Sequence, residues 1–357
     1  MATAAVAASS ASTQQNTQDT LLDVRGLKTE FFLQQGIVHA VQGVDFTVKR
    51  GQTIGVVGES GCGKSVMARS IMAIVPPPGR VVAGQVLFHS SADRKSGAGG
   101  EVVDMAAIDP MGVQARSIRG AEISMVFQEP MTSLSPVHTI GNQIMEAILL
   151  HQDVSKEEAR VLAIEMLGRV GMPHPERTID RYPHQLSGGM RQRAVIAMAL
   201  SCRPALLIAD EPTTALDVTT QAQILTLMSD LQEQFGMAIM FITHDLGVIA
   251  QMADFVIVMY LGQVVEMADV DTIFYNPKHP YTQSLLRSIP KLGRKSAQHA
   301  TSRLMAIRGT IPDAYNIPKG CPFHPRCRKA IAGVCDQREP PFLEVENGHK
   351  VRCVLYE

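Results

Sequence analysis

Gly58-Glu59-Ser60-Gly61-Cys62-Gly63-Lys64-Ser65 sets glycines at three positions of one short stretch and ends it on a lysine and a hydroxyl. Such glycines let the backbone curl until successive N–H groups face one anion, Lys64 adds a point charge, and Ser65 offers a hydroxyl to Mg²⁺. The phosphate-binding set is therefore Gly58, Ser60, Gly61, Cys62, Gly63, Lys64, Ser65 and Val66. Ser187-Gly188-Gly189 opens an apolar helix, and its free N–H groups with the Ser187 hydroxyl make a second phosphate-sized anion site. Asp210-Glu211 ends the apolar run Ala205–Ala209, which reads as Mg²⁺ coordination by the first carboxylate and water activation by the second. Gln128 follows the apolar run Ile123–Phe127, where open α/β sheets place ligand contacts. His244 follows Ala238–Thr243; a lone histidine there is more often structural, but beside these groups it reads as part of the site.

The elements that must hold these residues are legible around them. Thr53-Ile54-Gly55-Val56-Val57 is a strand entering the glycine loop, and Val66 to Val75 has helical spacing after it. Leu21–Phe32 and Val38–Val48 alternate around Gln34-Gln35-Gly36 as a hairpin, with a further strand at Val86–Phe88 and a glycine-rich loop at Ser90–Gly100. Ile140–Leu150 is helical. Ser155-Lys156-Glu157-Glu158 is a capping box for a helix ending at Gly171, so 140–181 reads as a helical insert. Leu216-Asp217 starts a helix that runs to Gly236. The fold expected is α/β: a P-loop nucleotide-hydrolase core with an antiparallel β subdomain and a helical subdomain, plus a small cysteine-rich C-terminal domain. The expected boundaries are a disordered tail at 1–20, the nucleotide-binding domain at 21–286, and the C-terminal domain at 287–357.

Lys+Arg 33 against Asp+Glu 34 leaves a net charge of −1 over 357 residues, so no overall field draws the chain to nucleic acid or to an anionic membrane. No charge-free apolar run approaches the roughly 18 residues that would cross a bilayer. The Ala/Ser/Thr/Gln-rich start lacks the basic and apolar regions of a secretory signal. Of six cysteines, Cys62 and Cys202 fall in the α/β part while Cys321, Cys327, Cys335 and Cys353 crowd the C-terminus. A P-loop enzyme works in a reducing compartment, which favours a local metal site over disulfides. Their spacing lacks the close pairs usual in structural zinc sites, and leaves zinc, [4Fe–4S] and unlinked thiols open.

With these motifs in order, Leu21 to Leu286 resembles the ATP-binding cassette (ABC) ATPases. Gly58–Ser65 matches the Walker A loop, Gln128 the Q-loop, Leu186–Met190 the signature, Leu206–Asp210 the Walker B strand, Glu211 the catalytic glutamate, Ala215–Asp217 the D-loop, and His244 the switch histidine. The resemblance implies two cassettes facing head to tail, each ATP lying between one P-loop and the opposing Ser187-Gly188-Gly189. Glu211 would polarise water, His244 would contact the γ-phosphate, and Ser65, Gln128 and Asp210 would hold Mg²⁺ directly or through water. One departure is that no aromatic stands just before Ala40-Val41, where many cassettes stack adenine; His39, Phe31 or Phe32 are the substitutes available.

Phe127–Pro136, His279-Pro280-Tyr281-Thr282 and Gly320–Cys327 are similar to the D-type ATPase subunits of bacterial oligopeptide and dipeptide importers, a subgroup that also serves nickel, opines and some oligosaccharides. That likeness implies a second, different ATPase chain, two integral membrane permeases, an extracytoplasmic binding protein, and a place on the cytoplasmic face of the inner membrane. It also implies a [4Fe–4S] cluster on Cys321, Cys327, Cys335 and Cys353, acting as a staple in a core separate from the P-loop. Met131–Pro136 with the helix from Ile140 is the expected grip on the membrane subunits. The competing readings are a soluble cassette ATPase acting on nucleic acid or ribosomes, whose paired cassettes or long insertions are not visible here, and an importer ATPase gated by a redox-sensing cluster.

Overall fold

A computed structural model describes residues 19–90, 101–128, 133–214, 216–289 and 307–357. The expected tail before Asp19, the loop at 91–100, Met131 and Thr132 of the expected membrane-facing turn, and Ala215 of the D-loop lie outside these residues. Among the described residues no helix is long and apolar enough to cross a membrane.

Two sheets organise the chain. The first takes β1 (Thr20–Leu33), β2 (Gly36–Lys49), β4 (Gly79–His89) and β5 (Val102–Asp104) in the order β2-β1-β4-β5, all antiparallel. Leu33 pairs with Gly36, so Gln34-Gln35 close the expected hairpin. The second sheet has eight strands, ordered β11-β12-β10-β9-β3-β8-β7-β6, from β3 (Thr53–Val57), β6 (Ile123–Val126), β7 (Leu206–Asp210), β8 (Ala238–Ile242), β9 (Phe255–Tyr260), β10 (Gln263–Asp269), β11 (Phe342–Glu346) and β12 (His349–Arg352). β6, β7, β8, β3 and β9 run parallel to one another, and β10, β12 and β11 continue the sheet antiparallel. Every residue of β3, β6, β7 and β8 is buried, which is why they read as apolar runs rather than alternating ones.

Strand alternation divides the core between the two faces of this sheet. Leu207, Ala209, Ile239 and Phe241 pack into one cluster with the helices at Ile140–His151, Lys156–Arg169 and Gly188–Leu200. Leu206, Ile208, Met240 and Ile242 pack into the other, against the antiparallel sheet and the helix Lys64–Ile71. The helical insert starts and ends by the chemistry read in its sequence. Thr139 caps Ile140–His151 through Asn142 N, and Ser155 and Glu158 form both bonds of the capping box. A Cβ on Gly141 would sit 2.3 Å from Ile179 Cγ1, so glycine lets the first turn press against the insert's end.

The C-terminal region departs from expectation. A separate core was expected for 287–357, yet β12 hydrogen-bonds to β10, with Glu266 opposite Val351, and β11 extends the same sheet. The physical reason is twofold. Without β12 the edge of β10 would be an open row of backbone donors and acceptors. Glu266 is fully buried and accepts from Lys278 N, His279 N and His349 Nε2, so its charge needs the strand that carries His349. Phe323 is also buried in the main cluster, its ring 5.3 Å from those of Tyr260 and Tyr281.

Candidate functional site

The P-loop sits between β3 and the helix Lys64–Ile71, over the β9–β10 turn. Gly262 N donates to Cys62 O at 2.9 Å, and Gly63 at φ 99° leaves only 2.2 Å between a hypothetical Cβ and Ala40 O. Glycine is therefore dictated at Gly63 by both conformation and space. Lys64 is 5% exposed, and its Nζ donates to Gly58 O and Glu59 O at 2.8 and 3.1 Å. Its ammonium is thus held inside the loop, where a phosphate would replace the carbonyls. Cys62 lies buried at the base of the loop; burial pushes its thiol up, against the opposing pull of Lys64.

Three strand ends deliver the remaining groups. Ser65 Oγ donates to Asp210 Oδ1 at 3.0 Å, which brings two of the three expected Mg²⁺ groups together. Burial pushes the Asp210 carboxyl up, and repulsion from Glu211 adds to it, while the Ser65 bond opposes both. Gln128 is turned elsewhere: its Nε2 donates to Glu211 Oε2 at 2.9 Å. Glu211 also accepts from Thr214 Oγ1 at 3.0 Å and lies 3.1 Å from His244 Nδ1. Burial raises the Glu211 carboxyl, but the bonds from His244 and Thr214 outweigh it and hold the group below its ordinary range. Its backbone is left-handed, at φ 49°, and its N–H donates to Ile242 O on the neighbouring strand. Such a conformation costs about 1–3 kcal/mol and persists where surrounding structure enforces it.

One pocket collects Ser60 to Val66, Gln128 and Glu211. Phe31, Val38 and His39 form its hairpin wall, whereas the Phe32 ring lies under Arg80 at 4.3 Å. Ala314 and Ile317, from the C-terminal region, complete the lining. Nothing in the spacing of 307–319 signals that role. Ser187, Gly188 and Gly189 are not among the residues lining this pocket. Ser187 instead caps its helix through Met190 N, and Gly189 is where Thr220 approaches, 2.8 Å from a hypothetical Cβ. Thr220 is in turn fixed by Asp217, which caps Val218–Phe235 through Thr220 N at 2.9 Å. Ser187, Gly188, Gly189 and Asp217 therefore form a second locus on the surface.

Cys321, Cys327, Cys335 and Cys353 line one small cavity with Phe323 and His324. All are free thiols. Burial raises Cys321 to about 11 and pushes Cys327 and Cys353 up as well. Among the described residues no three His, Cys, Asp or Glu side chains are arranged to hold a metal ion, so the expected iron–sulfur cluster is not shown.

Strand ends carrying phosphate, Mg²⁺ and water-polarising chemistry around one pocket define a P-loop nucleotide hydrolase. Comparison with known proteins makes the class specific. The ABC transporter family model matches residues 41–214, and the model for the C-terminal region of oligopeptide/dipeptide transporters matches 265–335. The oligopeptide transport ATP-binding protein AppD of Bacillus subtilis is 49% identical over 339 residues, covering 95% of this chain and 97% of its own. The dipeptide transport ATP-binding protein DppD of Bacillus subtilis is 46% identical over 338 residues, covering 94% and 95%. Among solved structures, a dimeric ATP-binding cassette in a post-hydrolysis state with ADP and Pi superposes with a TM-score of 0.60 at 26% identity, over 70% of this chain and 99% of that one. The chain belongs to the ATP-binding subunits of ABC transporters, within the group that carries the oligopeptide/dipeptide C-terminal region. It is an ATPase.

Proposed function

We propose that this chain hydrolyses ATP to drive a bacterial importer of peptides or related solutes, from the cytoplasmic face of the inner membrane. What carries the reading is the P-loop, Gln128 and Glu211 lining one pocket, with Asp210 bonded to Ser65 and His244 beside Glu211, in a chain that also has a C-terminal region of the oligopeptide/dipeptide type. Against a soluble cassette ATPase acting on nucleic acid or ribosomes stands the alignment, over nearly the whole chain, of relatives named for peptide import and oligopeptide transport.

In this reading Lys64 and the P-loop N–H groups hold the phosphates. Ser65 and Asp210 would hold Mg²⁺, with the Gln128 amide oxygen as the third group. Glu211 polarises the attacking water, its carboxylate oriented by the contacts with Thr214 and His244. His244 orients Glu211 and reaches the γ-phosphate. Ser187, Gly188 and Gly189, exposed or half-exposed and apart from the pocket, close over the nucleotide of an opposing cassette, a different chain, with Asp217 beside them. Two permeases and an extracytoplasmic binding protein complete the assembly. The start of the Ile140–His151 helix is the proposed contact with the permeases.

The four C-terminal cysteines are proposed to hold a [4Fe–4S] cluster. They fit it in one respect: four thiols around one cavity repel one another as thiolates, and a cationic centre is what would let all four ionise. The cluster would supply crosslinking to a region otherwise short of apolar core.

Isolation of the complex from its host tests the reading. Two membrane permeases and a second ATPase should co-purify, and ATP hydrolysis in proteoliposomes should rise when a peptide-loaded binding protein is added. Co-purification with ribosomes, and hydrolysis indifferent to peptide, would overturn it.

A further inference from the structure

Glu59 is an acidic residue in a loop whose task is to bind anions, and the structure shows where its charge goes. Arg326 Nη1 and Nη2 meet the Glu59 carboxylate at 2.6 and 2.9 Å, a two-pronged pair that joins the P-loop to a residue 267 positions away. The arginine side chain is 4% exposed and the glutamate 22%. Arg326 is fixed in turn: its Nε donates to Arg308 O at 2.9 Å, and Nη1 also reaches the Tyr260 hydroxyl at 3.3 Å. The same glutamate is held by its backbone, with N–H donating to Tyr281 Oη at 2.9 Å and C=O accepting from Lys64 Nζ at 3.1 Å.

An exposed ion pair between flexible side chains contributes little, but removing one partner of a buried pair leaves an uncompensated charge. Here that charge would be negative and would stand on the P-loop next to Ser60, where the loop's part of the pocket lining begins, so that freed from Arg326 it would repel phosphate and compete for the Lys64 ammonium. The planar guanidinium fork also fixes direction, which an ammonium cannot do. Arg326 immediately precedes Cys327, and its segment places Ala314 and Ile317 in the pocket wall, so the C-terminal region meets the nucleotide site at two independent places.

We propose that Arg326 is a positioning residue of the ATP site: by neutralising and orienting Glu59 it holds the P-loop in its anion-binding form, making the cysteine-bearing segment a working part of nucleotide binding. This rests on reading Gly58–Ser65 as the phosphate cradle, and the control below separates the two ideas.

The experiment measures MgATP binding to the full chain at low and high salt. Arg326→Gln should weaken binding about tenfold or more at low salt, and the defect should shrink as salt screens the exposed carboxylate. Adding Glu59→Gln to that variant should restore affinity to within about threefold of wild type, because the unpaired charge is gone; a role confined to packing would not be rescued. Equal defects in the single and double variants, or wild-type affinity in Arg326→Gln, would overturn the proposal. Should Arg326→Gln fail to fold, Arg326→Lys decides: about threefold to tenfold weaker binding is expected from loss of the fork, and unchanged binding refutes it. Lys64→Ala is the control: if it binds ATP normally the cradle reading fails, whereas a defect there with none at Arg326 removes the present proposal alone.

Discussion

Replacing Glu211 by Gln removes a charge and one acceptor position while preserving shape, and the structure lets the two consequences be separated. Oε2 accepts from Gln128 Nε2 and Thr214 Oγ1, and Oε1 faces His244 Nδ1. A glutamine can keep its carbonyl oxygen toward Gln128 and Thr214 and turn its amide toward His244, whose Nδ1 then accepts. Three contacts survive without charge assistance, a loss of about 1–2 kcal/mol in stability. The catalytic loss is larger. Removing a positioned base typically costs about 10²–10⁴ in rate, or roughly 3–5 kcal/mol of barrier at 1.36 kcal/mol per decade. The phosphate-binding groups remain, so ATP should bind with near wild-type affinity and then persist, trapping the closed pair of cassettes. Phosphate release measured with the assembled transporter gives the rate, and nucleotide retained after gel filtration gives the trap. Turnover within tenfold of wild type would refute the role assigned to Glu211, whatever the binding data show.

Lys64→Ala should weaken ATP binding itself by about tenfold or more, since one full charge is removed from the phosphate site; equal affinity by equilibrium dialysis would contradict this. His279 is fully buried, its Nδ1 accepts from Tyr281 N at 3.1 Å, and burial lowers it to about 4. Below the ordinary histidine value the unfolded chain takes up a proton that the folded chain refuses, so stability falls as pH drops from about 6.5 towards 4, by about 2 kcal/mol at pH 5. His279→Asn keeps an acceptor for Tyr281 N and should flatten that dependence; identical urea-denaturation slopes against pH in both proteins would rule it out. If the C-terminal cysteines hold [4Fe–4S], protein purified without oxygen should be brown with about four irons per chain, and Cys327→Ser should lose both. A colourless, iron-free wild type from cells able to assemble clusters would end that reading.

Much of the architecture was legible because local signals and burial agree. The strands that carry the site are buried on both faces, so their sequences are continuous apolar runs, and Gln128, Asp210, Glu211 and His244 stand one or two residues past such a run. The helical insert was legible for a different reason: Thr139, Ser155 and Glu158 make local capping bonds that depend on only a few neighbours. What sequence could not reveal are contacts between distant segments. Glu59 with Arg326, Glu266 with His349, and Ile317 against the P-loop pocket each join residues whose spacing has no period. The cysteine crowding suggested an autonomous stapled unit, and it concealed the apolar and charged anchors, Phe323 and Arg326, that seat this region on the core.

These long-range contacts also bear on how hydrolysis would be timed under the proposed roles. Gln128, Thr214 and His244 all engage the Glu211 carboxylate. Gln128 meets Glu211 through its amide nitrogen and keeps its carbonyl oxygen for Mg²⁺, and His244 faces Glu211 through Nδ1 and keeps Nε2 for a γ-phosphate. Nucleotide binding and the placement of the base are then coupled, because the same two side chains would touch both. Gln128 lies at the end of β6, and the chain runs from there to the helix Ile140–His151, whose start is pinned to Ile179 across Gly141. A shift of Gln128 towards the metal would pull on the insert as a packed body, since its interior is close-packed and passes strain on rather than absorbing it. The side chain that braces the base would thus also be the one that signals the membrane subunits, which ties each hydrolysis event to a movement of the transporter.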